Sequence, residues 1–161
     1  MRDEVNAELK QIEKLARAEK HEEALRRADA LAASHPEEPG VWSTRGYVNG
    51  RQGDLLAAIS DLSKCIELRE TEPDDFFTRG RFLFKAGRYE EAVSDFTRVL
   101  QLCDSYNSDY YRQAAYFFRA DAYVRLGQYE KSRDDCRRVV DRGPVWTDKL
   151  RTIDEILDEC Q

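Results

Sequence analysis

No apolar run in this sequence approaches the ~20 residues needed to span a bilayer, so a helical membrane protein is excluded. There is also no apolar stretch after Met1-Arg2-Asp3-Glu4, which runs straight into a charged amphipathic pattern. A secretory leader needs such a stretch, so a cytoplasmic protein is the expectation. Cysteine and histidine are few and scattered. Cys65, Cys103, Cys136 and Cys160 form no C-x-x-C pair, and His21 and His35 sit near none of them in sequence. That spacing argues against a zinc site and against a disulfide framework. No metal and no cofactor are expected. Cys65 and Cys136 fall on apolar faces and read as small reduced hydrophobes, while Cys103 and Cys160 lie near segment ends and are expected to be exposed thiols. A phosphate-cradling glycine-rich loop and a G-x-S-x-G elbow are missing too, and neither histidine has the neighbours of a catalytic triad. Catalysis is not expected.

What is present is helical. Charged residues are 36% and hydrophobic residues 41% of the 161, too apolar for a disordered chain and enough for a core. The net charge of −6 argues against nucleic acid, whose binding is driven by clustered Lys and Arg. Pro36, Pro39-Gly40, Pro73 and Gly143-Pro144 punctuate segments long enough for two helices each.

The segments repeat. Glu19-Lys20-His21-Glu22-Glu23-Ala24 aligns with Gly53-Asp54-Leu55-Leu56-Ala57-Ala58, with Gly87-Arg88-Tyr89-Glu90-Glu91-Ala92 and with Gly127-Gln128-Tyr129-Glu130-Lys131-Ser132. The small residues Ala24, Ala58, Ala92 and Ser132 are separated by 34, 34 and 40 residues. Upstream and in register, Trp42-Ser43-Thr44-Arg45-Gly46 matches Phe76-Phe77-Thr78-Arg79-Gly80 and Tyr116-Phe117-Phe118-Arg119-Ala120. His21 falls where Leu55, Tyr89 and Tyr129 stand, so it is expected to pack.

Over about residues 5–144 this resembles the tetratricopeptide repeat, which has a period of about 34 residues. The resemblance implies an all-α protein, a right-handed superhelical stack of four helix-turn-helix hairpins plus a C-terminal capping helix. Its repeats fall at about 5–38, 39–72, 73–106 and 113–146 of a single domain, with the capping helix at 147–160. Leu150, Ile153, Ile156 and Leu157 would lie on one side of that helix, with Asp148, Asp154 and Asp158 elsewhere.

Within each hairpin the pattern reads as packing. Gly46, Gly80 and Ala120 let the two helices approach, and Trp42, Phe76 and Tyr116 lie four residues earlier on the same face. Gly53, Gly87 and Gly127 supply the left-handed residue that ends each first helix, a place held by Glu19 in the first repeat. Pro39 and Pro73 suit first turns, and Pro36 and Pro144 mark stops after second helices. The fourth repeat arrives six residues late. The extra residues fall around Asp104–Tyr111, where Ser108 or Asp109 could cap an extended first helix and the tyrosines could form a lip on a binding surface.

In this family the first helices line a concave surface, so the resemblance places a partner there. The second stripe of those helices reads Leu9, Glu13, Ala16 and Arg17; Ser43, Thr44, Tyr47 and Arg51; Phe77, Arg81, Phe84 and Lys85, with Thr78 alongside; then Phe117, Asp121, Val124 and Arg125, with Phe118 alongside. Two features stand out. Arg17, Arg51, Lys85 and Arg125 hold one place in every unit, a basic ladder that also suits the negative end of a helix. Tyr47, Phe77, Phe84, Phe117 and Phe118 add aromatic character. The candidate partner-binding set is therefore Arg17, Thr44, Tyr47, Arg51, Phe77, Thr78, Arg81, Phe84, Lys85, Phe117, Phe118, Asp121 and Arg125, reading an acidic and hydrophobic segment of another protein.

The five-residue clamp that grips heat-shock chaperone tails in some relatives is not matched. Its places hold Leu9, Glu13, Thr44, Asp74 and Thr78, or one repeat later Ser43, Tyr47, Thr78, Ala114 and Phe118. A competing class is a small bacterial immunity protein or secretion chaperone dedicated to one partner. Oligomeric state is not legible in the sequence.

Overall fold

The computed structural model describes residues 2–106, 110–141 and 143–161. Among these the chain forms consecutive helical hairpins and divides into two compact units, residues 1–71 and 72–161. Ser108 and Asp109, candidate caps, lie outside the described residues.

The first unit contains α1 (Arg2–Arg17), α2 (His21–Ser34), α3 (Pro39–Gln52) and α4 (Leu55–Leu68). Each turn between paired helices has a left-handed residue. Gly53 adopts φ 88°, and in the first hairpin Glu19 adopts φ 60° without being a glycine. Ile12, Leu15, Ala16, Ala24, Ala28 and Val48 form one core, and Val5, Ala32 and Val41 form another. The Trp42 indole packs on the second and donates to the Pro36 carbonyl at 2.8 Å.

The second unit contains α5 (Pro73–Lys85), α6 (Tyr89–Tyr106), α7 (Arg112–Arg125), α8 (Tyr129–Cys136), β1 (Val145–Trp146), β2 (Leu150–Arg151) and α9 (Ile153–Glu159). Pro39 and Pro73 stand in the first turns of α3 and α5, where a missing N–H costs nothing. The late arrival of the fourth repeat is partly absorbed by helix: α6 runs 18 residues where α4 runs 14.

Three expectations need correcting. The capping helix does not span 147–160. Residues 145–151 form a two-stranded antiparallel hairpin, and α9 starts only at Ile153. Thr152 ends the extended stretch and caps α9 in a reciprocal box: its hydroxyl accepts from the Glu155 N–H at 3.2 Å, and Glu155 accepts from the Thr152 N–H at 2.7 Å. Pro144 does not mark the end of a second helix, because α8 stops at Cys136. Cys103 and Cys160 are not exposed thiols; all four cysteines are free and buried. Cys103 faces inward because α6 continues past it, and Cys160 closes the core that α9 makes with α7 and α8.

The small positions behave as packing requires. A Cβ on Gly80 would lie 2.8 Å from Phe96 Cε1 and 3.2 Å from Asp95 Cβ, whereas one on Gly46 meets nothing closer than 3.2 Å. Gly80→Ala is therefore expected to destabilise by about 1–2 kcal/mol in urea unfolding, despite the helix propensity that alanine adds. Gly46→Ala should lie nearer neutral.

Candidate functional site

One polar element recurs in repeats two to four. Arg45, Arg79 and Arg119 on first helices each grip a buried aspartate 16 residues on, Asp61, Asp95 and Asp135, on the second helix of the same hairpin. Each grip is bidentate, with Nε and Nη2 on the two carboxylate oxygens at 2.5–3.0 Å. The same arginines stack over the large residue three places earlier: Arg45 over Trp42 at 4.7 Å, Arg79 over Phe76 at 5.8 Å and Arg119 over Tyr116 at 5.7 Å. In the first hairpin the polarity is reversed, and Arg27 of α2 holds Glu8 of α1 through two 2.6 Å bonds. The arginines stood in plain view in the recurring blocks. Their aspartates recur in the same register, at 61, 95 and 135, and that constant offset was the signal for this clasp. Its role is to hold the two helices of a hairpin in register.

The residues expected to line a binding surface divide by burial. Phe77, Phe84, Phe117 and Phe118 are not open groove aromatics; all four are buried, as are Thr44 and Asp121. The reason is geometric. Phe118 of α7 packs edge-on to Phe77 and Phe84 of α5, at 5.8 and 6.0 Å, and lies 5.6 Å from Phe96 of α6, so these rings fill the seam between successive hairpins. Phe117 and Val124 join a core with Ile153, Ile156 and Cys160. Tyr47 is half-buried against the first unit's core, and Thr78 is half-buried.

The cations stay near the surface. Arg17, Arg51 and Lys85 are exposed in the last turns of α1, α3 and α5, and Arg17 pairs with Glu13 at 3.5 Å. Arg125 differs. It is half-buried, and Nη2 contacts both Asp148 oxygens at 2.9 and 3.0 Å. Its last-turn neighbour, Asp121, is wholly buried and receives Arg151 at 2.7 Å. Burial pushes the Asp121 carboxyl above its ordinary range, against the pull of the Arg151 charge. Arg151 is itself 1% exposed and also reaches Glu159 at 2.8 Å. The C-terminal hairpin thus covers the stripe of α7 that was expected to meet a partner. Nothing in the period of the sequence announced it.

Arg81 on α5 is exposed as well. Its guanidinium lies 5.9 Å from the Phe77 ring and 5.6 Å from the Phe118 ring. Burial against the rings pushes its pKa below the ordinary value, yet arginine keeps its charge, and the residue as a whole is exposed. Among the described residues no carboxylate pairs with Arg81, Lys85 or Arg51. At the start of α5, Tyr111 donates to Asp74 at 2.7 Å and stacks on Phe77 at 5.2 Å, while Tyr110 beside it is 82% exposed. Burial, and then the hydrogen bond to Asp74, push the Tyr111 phenol up.

Models of the tetratricopeptide repeat match residues 9–73 and 77–142. The chain belongs to the tetratricopeptide repeat family. Solved structures of similar fold include MamA, from residue 41 to its end, of Desulfovibrio magneticus RS-1, with TM-score 0.74, 22% identity and coverage of 86% of this chain and 75% of that one. YrrB, a tetratricopeptide protein with an unusual peptide-binding site, gives TM-score 0.71 at 20% identity, covering 85% of this chain and 68% of its own. The first tetratricopeptide domain of Spaghetti, bound to an HSP90 peptide, gives 0.58 at 23% identity, covering 61% of this chain and 78% of its own. No curated protein matches the chain significantly. Among the described residues no helix is long and apolar enough to cross a membrane, and no three potential ligands gather around a metal position.

Proposed function

We propose that this tetratricopeptide protein is an interaction module that binds an acidic and hydrophobic segment of another protein, with Arg81 and Lys85 as its charged contacts in the 72–161 unit. The tetratricopeptide fold supports a protein-binding role, and peptide binding by YrrB and by the Spaghetti domain is consistent with it. One observation carries the finer reading. Arg81 is held over two aromatic rings, exposed and with no carboxylate partner among the described residues, and Lys85 follows one helical turn later. A cation pre-positioned on rings loses little freedom on binding, and Arg on an aromatic floor is a common interface anchor. Tyr110 and Tyr111 supply adjoining apolar area at the Phe77 end. Phe77 and Phe118 are the floor and not the contacts.

The test is calorimetric titration with a synthetic peptide of alternating Glu and Leu. Arg81→Ala combined with Lys85→Ala should weaken binding about tenfold and flatten its salt dependence. Unchanged affinity and an unchanged salt slope would remove the reading.

A further inference from the structure

The hairpin of β1 and β2 has two unlike faces. Its register pairs Val145 with Arg151 and Trp146 with Leu150. The first pair turns inward. Val145 packs against the core of Phe117, Val124 and Ile153, and Arg151 is locked by Asp121 and Glu159. The second pair turns outward, with Trp146 66% exposed and Leu150 51% exposed, directly opposite each other. Two large apolar side chains are thus displayed on a short hairpin that a buried ion pair fixes in place. A rigid, pre-positioned tryptophan is the kind of residue that dominates binding energy at interfaces.

The surroundings specify the charge of what it meets. Leu150 also borders a cavity of about 270 Å3 whose wall carries Glu155, Asp158 and Glu159. Arg151 in the same wall is committed to Asp121 and Glu159, and Glu155 is held by the Thr152 cap with the Lys149 charge close by, which leaves Asp158 as the lining carboxylate without a cation on it. The rim is therefore acidic beside an apolar pair.

We propose that the outward face of this hairpin docks a basic and apolar segment of a partner protein, an aliphatic or aromatic side chain seating on Trp146 and Leu150 and a Lys or Arg facing Asp158. This surface is independent of Arg81 and asks for the opposite charge in its ligand.

An 18-residue helical peptide with Leu on one face and Lys on the other is the probe, with its Leu/Glu counterpart as control. The readout is the pair of indole N–H signals in a nitrogen–proton correlation spectrum, since Trp42 and Trp146 are the two tryptophans and Trp146→Phe assigns them. Adding the Leu/Lys peptide should shift the Trp146 signal and leave Trp42 in place. Trp146→Ala or Leu150→Ser should weaken binding, measured calorimetrically, by about tenfold or more. Neither change should lower the unfolding midpoint, because both side chains face solvent. Arg81→Ala should leave this binding unchanged even if the groove reading fails. Equal binding of the Leu/Glu peptide, no movement of the Trp146 signal, or its movement with protein concentration alone would each overturn the proposal, the last by showing a second copy of the chain as the occupant.

Discussion

Arg151→Ala is expected to destabilise the 72–161 unit by about 3–5 kcal/mol, the usual result of removing one partner from a buried ion pair. Asp121 is 0% exposed, one of its oxygens already has no hydrogen-bond partner, and Arg151 supplies the close contact to the other at 2.7 Å. Arg125 does not replace it. It stays 3.5 Å from Asp121, and its guanidinium is drawn to Asp148. Without Arg151, the carboxylate must either take a proton or reopen the site to water, and both routes free β1, β2 and α9. Faster amide exchange across 145–159 and a lower urea midpoint are the measurements. Exchanging both partners, Arg151→Met with Asp121→Leu, should recover most of the loss, because the cost lies in the stranded charge and not in the missing attraction. If the single variant proves as stable as the parent, the pair is not what seals this end.

Phe118→Ala should cost about 3–5 kcal/mol as well, by leaving a cavity. The ring is 4% exposed and lies within about 6 Å of the Phe77, Phe84 and Phe96 rings, so its removal opens the seam between α5, α6 and α7 together. Tyr110→Ala, at 82% exposure, should stay within about 0.5 kcal/mol. The contrast separates two uses of aromatic residues that look alike in the sequence. Any loss of peptide binding in Phe118→Ala would have to be corrected for unfolding before it said anything about a groove.

That contrast also marks how far the sequence could be read. The hairpins, the close approach at Gly80 and the left-handed turn at Gly53 follow from small residues in fixed register, and local geometry allows those residues few other uses. The stripe of Phe77, Phe84, Phe117 and Phe118 was visible too, but a helix stripe has two flanks. Which flank is covered depends on where the next hairpin lies, and periodicity is silent on that. The cover over Asp121 and Arg125 comes from a hairpin with strands of two residues, too short for any alternating pattern to show. The capping box at Thr152 and Glu155 is legible as Thr-x-x-Glu, a pattern that makes Thr152 the N-cap and Ile153 the first helical residue. The basic ladder was found as a pattern, but only Arg51 and Lys85 remain both exposed and without an ion pair among the described residues.

The arginine–aspartate clasp also acts as a ruler on the chain. Each copy fixes its two ends 16 positions apart, across the turn that joins the helices of one hairpin. An insertion inside that window would carry the aspartate around its helix and leave a buried carboxylate without its arginine. Between windows no such measure applies. The extra residues before the fourth repeat fall there, after Asp95 and before Arg119. The clasp therefore constrains chain length within hairpins and sets none between them, so insertion and loop grafting have one class of site open to them.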